Sequence, residues 1–120
     1  MAGEFDWIEG LPAAVTVADA EGTIVAMNAR SRETFAEDGG AALLGKCVFD
    51  CHPEPARAKL RALYARGEAN HYTIEKAGRR KIIHQLPWFK DGRFAGPVQN
   101  SVPMPASPLP HSARAKRRPP

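Results

Sequence analysis

Two short runs in which apolar and polar residues alternate open the chain, and they predict a β-hairpin. Val15 and Val17 alternate with Thr and Ala in the first run, and residues 23–27 form the second. Residues 19–22 between them provide turn chemistry, because Asp accepts local backbone hydrogen bonds and Gly permits a positive φ angle. The two strands therefore pair around a tight turn.

The segment before this hairpin is amphipathic. Phe5, Trp7, Ile8 and Leu11 recur at near-helical spacing, which predicts a short helix or turn within residues 1–11. Pro12 ends that segment and favours extended backbone. Because an unshielded apolar face tends to be buried against another surface, we expect Trp7 and Ile8 to contribute to a homodimer contact.

Helices are predicted in the middle of the chain. Asn28 is a good N-cap for a helix over residues 29–35. Residues 41–44 and 48–52 are expected to form short turns. The longest helix starts near Pro53 and Pro55, where proline is tolerated, and ends at Gly67. Its apolar stripe consists of Ala56, Leu60, Leu63 and Tyr64.

After Gly67 the hydrophobic period changes to two, which predicts strands. Tyr72 and Ile74 share a face of the first strand. In the next, over residues 81–89, we expect one face to point toward the helices; it carries Ile82, His84, Leu86 and Trp88. That face forms either a pocket wall or a filled core in which Trp88 packs against the long helix.

A last strand is predicted over residues 94–102, after the hairpin signal Asp91-Gly92. Pro97 removes a backbone donor from this strand, so we expect the strand to be short, bulged or at a sheet edge. Two groups of strands around a helical middle indicate an α+β fold, with one antiparallel sheet and helices over one face.

Together, this order and three stretches resemble the PAS domain family over roughly residues 7–102. The stretches are LPAAVTVADAEGTIVAMNARSRETF, LLGKCVFDCHPE and PWFKDGRFAG. The resemblance implies a five-stranded sheet whose helices often enclose a small-molecule pocket, and a non-enzymatic sensory or interaction role. It also implies a PAS-like domain over residues 12–102. No kinase, cyclase or helix-turn-helix output domain follows, so we expect a separate signalling partner.

The segment KCVFDCHPE is the chemically richest. Cys47, Cys51 and His52 could serve a metal or redox function, but a zinc site needs four ligands, so His71 or His84 would have to complete the set. The alternative is that the cysteines pack as small apolar residues and His52 satisfies local backbone groups. A thiol enzyme would need Cys51 to be activated by a positioned base.

Haem is the cofactor alternative implied by the resemblance, because some PAS domains bind it through a histidine on the long helix. That helix has no histidine here, which leaves His52 and His84 as possible ligands. A flavin adduct is not expected, because KCVFDCHP differs from the cysteine-containing run of light-sensing relatives. The pocket candidates are Cys47, Cys51, His52, Leu60, His84, Leu86 and Trp88.

The charge distribution does not favour a nucleic-acid-binding domain. Four of the 17 basic residues lie in the last ten positions, which leaves 13 residues of each sign before them. The proline-rich, basic residues 103–120 are predicted to be disordered. The chain has no apolar run long enough to span a membrane, and its acidic N-terminus is not typical of a signal peptide. We therefore expect a cytoplasmic protein whose two cysteines are reduced.

Overall fold

The fold is described by a computed structural model that covers residues 3–105. It contains five strands and two α-helices: β1 (Ala14–Ala18), β2 (Ile24–Met27), α1 (Ala29–Thr34), α2 (Ala56–Arg66), β3 (Asn70–Lys76), β4 (Arg79–Lys90) and β5 (Arg93–Pro103). Short 3₁₀ helices lie over Asp6–Ile8, Ala36–Asp38 and Gly40–Leu43. The disordered tail predicted over residues 103–120 lies, from residue 106 onward, outside the described residues.

The five strands form one antiparallel sheet in the order β2-β1-β5-β4-β3. The N-terminal hairpin joins the C-terminal strands through the pairing of β1 with β5, from Ala14 opposite Ser101 to Val17 opposite Val98. This confirms the predicted α+β fold, in which both ends of the polypeptide share a sheet and the helices lie across it.

The prediction that Pro97 would make β5 short or peripheral is wrong, because β5 is an 11-residue central strand. The predicted bulge does occur. It lies just before Pro97, where the pairing of β5 with β4 shifts in register between Trp88 and Phe89. Pro97 lies opposite Pro87, and two prolines can only form a non-hydrogen-bonded pair, in which the backbone nitrogens point away from each other. Both also lie beyond the ends of the neighbouring β1 and β3 ladders, so no strand there needs the missing donors.

Apolar residues cover both faces of the sheet. On the helix-facing side, the buried cluster contains Ala18, Ile24, Met27, Val48 and Leu60. On the opposite side, called the outer face below, the buried cluster contains Ile8, Val15 and Val17, with Phe5, Leu11, Ala26, Trp88 and Val98 packed against it. The N-terminal segment therefore covers part of the outer face.

The predicted orientation of β4 is wrong. Ile83 and Gln85 are the buried residues of this strand. Trp88 instead belongs to the outer cluster, where its ring packs edge-on against that of Phe5 with 5.4 Å between the ring centroids. By strand alternation, Ile82, His84 and Leu86 share the outer face with Trp88. These four residues do share one face of β4, as predicted, but that face is the outer one, which the N-terminal segment partly covers.

The predicted dimer contact also needs a correction. Ile8 is only 3% exposed because it packs against Val15 and Val17 of its own chain, so it is not available to a second copy. Trp7 is 73% exposed. The 3₁₀ helix that contains both residues thus directs one apolar side chain inward and the other outward.

Asn28 fixes the junction between these elements. Its Oδ1 accepts hydrogen bonds from the backbone N–H groups of Ser31 and Val15, both at 2.9 Å, and its Nδ2 donates to the carbonyls of Ala13 at 2.8 Å and Ile8 at 3.0 Å. The predicted N-cap of α1 is confirmed. In addition, this fully buried amide binds β1 and the N-terminal segment.

Gly96 allows β5 to approach the end of β1 closely. Its φ angle is +131°, and a Cβ atom there would lie 2.1 Å from the carbonyl oxygen of Ala18. That carbonyl accepts a hydrogen bond from Trp88 Nε1 at 3.0 Å, and the next carbonyl, that of Asp19, accepts one from the Tyr64 hydroxyl at 2.7 Å. Burial, aided by the charge of Asp19, raises the pKa of Tyr64 well above its usual range, which keeps the hydroxyl protonated as a donor. Side chains from both sides of the sheet therefore bind the same corner.

None of the helices in residues 3–105 has the length and apolar character needed to cross a membrane.

Replacing Asn28 should destabilise the protein strongly. Asn28→Ala leaves two donors and two acceptors without their partner, so we expect the free energy of unfolding to fall by roughly 3 kcal/mol. Urea unfolding followed by circular dichroism measures this loss. Asn100→Ala on β5 is the matched control, because the described residues include no side-chain hydrogen bond of Asn100, and it should cost less than about 1 kcal/mol. Equal losses for the two variants would contradict this role of Asn28.

Candidate functional site

A cavity of about 420 Å³ lies between the helix-facing side of the sheet and the segments that cover it. This volume lies within the range of roughly 300–1,000 Å³ that is typical of small-molecule sites. Its lining comes from strands β1, β2, β4 and β5, from α2, and from the loops between α1 and α2. The lining residues are Thr16, Ala18, Ile24, Met27, Phe35, Asp38, Leu43, Val48, Asp50, Cys51, His52, Leu60, Gln85, Pro97 and Gln99.

A row of amide side chains crosses the sheet beneath this cavity. Asn70 Nδ2 on β3 donates to Gln85 Oε1 on β4 at 3.0 Å, and Gln85 Nε2 donates to Gln99 Oε1 on β5, also at 3.0 Å. The strands place these side chains together, because Gln85 lies directly opposite both Asn70 and Gln99. We call these three residues the amide row. Gln85 is only 2% exposed, so its two bonds fix its orientation.

The last member of the amide row has a donor group with no hydrogen-bond partner among the described residues. The Gln99 oxygen is occupied by Gln85, and its Nε2 donates to no other described residue. Within residues 3–105, no fully buried side-chain nitrogen or oxygen lacks a partner, so this nitrogen is not sealed in the core. Gln99 also lines the cavity, so its NH₂ group is the unpartnered donor of the amide row at this site.

Thr16 continues the polar floor on the next strand. It lies opposite Gln99 in the β1–β5 ladder, and its hydroxyl hydrogen-bonds to that of Ser31 on α1. Ser31 is fully buried and also donates its backbone N–H to Asn28. The cavity floor is thus hydrogen-bonded to the first turn of α1 and, through Ser31, to its cap residue Asn28.

His52 stands at the cavity wall in a defined tautomer. Its Nδ1 lies 2.7 Å from the carbonyl oxygen of Val48, and a carbonyl only accepts, so Nδ1 carries the proton and donates it. Neutral His52 therefore has its electron pair on Nε2. The His52 carbonyl in turn accepts a hydrogen bond from Arg57 Nε at 3.0 Å, which holds the loop against the start of α2.

Cys51 is poorly suited to act as a nucleophile. Partial burial is the first cause that raises the pKa of its thiol, and the neighbouring carboxylate of Asp50 raises it further. The thiol is therefore mainly protonated at neutral pH, whereas attack requires the thiolate. Neither cysteine forms a disulfide. Cys51 is exposed, whereas Cys47 is half-buried and its backbone pairs with that of Thr23 in an isolated antiparallel β-bridge.

The structure brings together only some of the pocket candidates from the sequence. Cys51, His52 and Leu60 line the cavity, and Cys47 does not. His84, Leu86 and Trp88 lie on the outer face, because β4 presents its odd-numbered residues to the cavity at this point. Thr16 and Gln99 were not among the sequence-based candidates. Gln85 does line the cavity, but it lies on the face of β4 opposite to the one predicted to point toward the helices.

The zinc alternative finds no support in this geometry. Among residues 3–105, no three His, Cys, Asp or Glu side chains come together in a way that could hold a metal ion. His71 and His84 contact each other rather than completing a set with Cys47, Cys51 and His52.

Comparison with known proteins identifies the class. A family model described as PAS fold matches residues 8–94. This covers most of the chain, so the protein belongs to the PAS fold family. No curated protein sequence matches the chain.

Several solved structures share this fold at low sequence identity. The PAS domain of Bordetella pertussis BvgS is 21% identical, with a TM-score of 0.62; the match covers 92% of this chain and 87% of that domain. A C-terminal domain from Streptococcus mutans is 14% identical, with a TM-score of 0.64 and coverage of 81% and 79%. The Aer2 receptor from Vibrio cholerae, described as a dual PAS-haem oxygen sensor, is 17% identical, with a TM-score of 0.60 and coverage of 82% and 99%.

Proposed function

We propose that this PAS domain is a non-enzymatic module that binds a small neutral molecule in the cavity and reports its presence to a protein partner. The observation that carries the proposal is the unpartnered NH₂ group of Gln99, a residue that lines a largely apolar cavity. A few fixed polar groups in an apolar lining are typical of small-molecule sites, where they orient the ligand.

The amide row supports a ligand that carries a hydrogen-bond acceptor. Asn70 donates to Gln85, and Gln85 donates to Gln99, so the free end of the row is a donor. Ile24, Met27 and Leu60 offer the rest of the ligand an apolar surface. The carboxylates of Asp38 and Asp50 disfavour a negatively charged group beside them at the cavity wall. A carbonyl-containing, uncharged molecule with an apolar body meets all three conditions.

The proposed mechanism is a shift between two arrangements of the helices and the sheet. A ligand on Gln99 also lies beside Thr16, whose hydroxyl is bonded to Ser31 of α1, and beside Leu60 of α2. Occupancy therefore stabilises one position of both helices relative to the sheet. A separate signalling protein that contacts these helices would detect the change.

Removing the Gln99 donor should remove the ligand. Gln99→Glu keeps an oxygen for Gln85 but replaces the NH₂ group with a second acceptor, and we expect affinity to fall at least tenfold, or about 1.4 kcal/mol. Native mass spectrometry of protein purified from its own host should show extra mass on the wild type and none on the variant. Asn100→Asp, the same chemical change on the outer face of β5, should retain the extra mass.

Two results would contradict the binding of a small molecule in this cavity. The proposal fails if the wild type shows only the mass of the polypeptide and its melting temperature is unchanged by the small-molecule fraction of a host extract. It also fails if Gln99→Glu retains the bound molecule as well as Asn100→Asp does.

A second candidate function is haem-dependent redox sensing, and the tautomer of His52 favours it. Histidines that bind metals usually donate their other ring N–H to a carbonyl or carboxylate, as His52 Nδ1 does to Val48. His52 Nε2 is then the nitrogen that would bind iron, and Leu60 and Met27 would supply apolar contacts. The two propionate groups of haem would have to lie away from Asp38 and Asp50. Haem would supply redox or gas-binding chemistry at its iron.

Absorbance spectroscopy tests this candidate. Protein incubated with haemin and passed through a desalting column should show a Soret band, which His52→Ala should abolish. His84→Ala should keep the band, because His84 lies on the other side of the sheet. No Soret band in the wild type, or a band that survives His52→Ala, contradicts haem ligation by His52.

Homodimerisation is the partner interaction that we propose from the exposed aromatic residues. Trp7 is 73% exposed and Phe89 is 58% exposed, although both residue types usually bury much of their surface. Light scattering should report twice the mass of the chain at high concentration, and Trp7→Ala should shift the protein toward the monomer. Val25→Ala, which shortens an exposed side chain on β2, is the control and should stay dimeric. A monomeric wild type contradicts the proposal.

A further inference from the structure

Two histidines face each other on the outer face, remote from the cavity. His71 on β3 lies directly opposite His84 on β4, and their Nδ1 atoms are 2.8 Å apart. The ring centroids are 5.0 Å apart, with an interplanar angle of 71°. Such a contact requires that one Nδ1 carry a proton and the other an electron pair.

The separation of the two nitrogens suits a shared metal ion. Two nitrogen ligands at about 2.0–2.1 Å from one metal, with an angle of roughly 90–110° between them, are about 2.9–3.4 Å apart. The observed 2.8 Å is close to this range. A metal ion can therefore replace the shared proton after a small rotation of the rings, with the proton of each neutral ring then on Nε2.

The strands hold this pair in position. The β3–β4 ladder has seven consecutive residue pairs without a register shift, from Asn70 opposite Gln85 to Lys76 opposite Arg79. The hydrogen bond between Asn70 and Gln85 secures the same ladder on the other face, next to the histidine pair. Both ligands thus come from a rigid element, which reduces the cost of arranging them on binding.

Apart from each other, the two histidine rings have no hydrogen-bond partner among the described residues, although Asn100 of β5 lies directly opposite His84. Within residues 3–105, neither ring forms an ion pair with a carboxylate. Along the strands, the next cross-strand pair on the same face is Thr73 opposite Ile82, so no acidic side chain there accounts for the orientation of the rings. His71 is exposed, so water can complete the coordination of an ion.

We propose that His71 and His84 bind a divalent transition-metal ion of the Zn²⁺, Ni²⁺ or Cu²⁺ class through their imidazole nitrogens. Neutral imidazole is a common ligand for these ions. The site is separate from the cavity and does not depend on the function proposed for it.

Isothermal titration of the full 120-residue chain with Ni²⁺ tests the site. We expect one ion per chain, and His71→Gln and His84→Gln should each weaken binding at least tenfold. Both substitutions lie at the sheet surface, and circular dichroism should show that the variants keep the wild-type fold. His111→Gln, outside the described residues, is the matched control for a histidine that does not belong to the pair.

A second measurement locates the ion. In ¹H–¹⁵N correlation spectra, paramagnetic Ni²⁺ should broaden the amide signals around His71 and His84 before those near Cys47 and Cys51. The inference is overturned if the wild type binds Ni²⁺ no more tightly than either His→Gln variant. It is equally overturned if broadening centres on the cysteines.

Discussion

The buried amide of Asn28 is the interaction on which the rest of the structure depends. Its two donors and its doubly used oxygen join the N-terminal segment, β1 and α1, which are separated by up to 20 residues in sequence. No hydroxyl or carboxylate side chain could replace it, because the site requires two N–H groups and a carbonyl oxygen together. The position of α1 over the sheet, and therefore one side of the cavity, follows from this single side chain.

Local signals in the sequence were sufficient for most of the architecture. Turn chemistry after Ala18, the cap at Asn28 and the stop at Gly67 each act through neighbouring residues, so they could be predicted without knowledge of the tertiary fold. The α+β topology followed from their order. The tolerance of Pro97 in a central strand could not be foreseen, since it depends on Pro87 lying opposite and on where two other strands end.

The candidate site was less predictable for a related reason. Alternation shows which residues share a face, but it does not identify the face toward the helices when both sides of the sheet are covered. Trp88 and Leu86 supplied the stronger apolar signal, and the N-terminal segment covers Trp88 on the outer face. Gln85 and Gln99 carry no local signal of burial, because the burial of Gln85 becomes favourable only through its hydrogen bonds to Gln99 and Asn70 on the neighbouring strands.

The corner formed by Ala18 and Asp19 has a mechanical consequence. On the helical side, the hydroxyl of Tyr64 on α2 donates a hydrogen bond to the Asp19 carbonyl. On the outer face, Trp88 donates to the adjacent carbonyl of Ala18 and also contacts Phe5. Gly96 packs so closely against the same backbone that it leaves no space for a Cβ atom, so little room remains for the corner to move. A displacement of α2 at Tyr64 would therefore act through the backbone of Asp19 on the carbonyl that Trp88 binds, beside the N-terminal segment on the outer face.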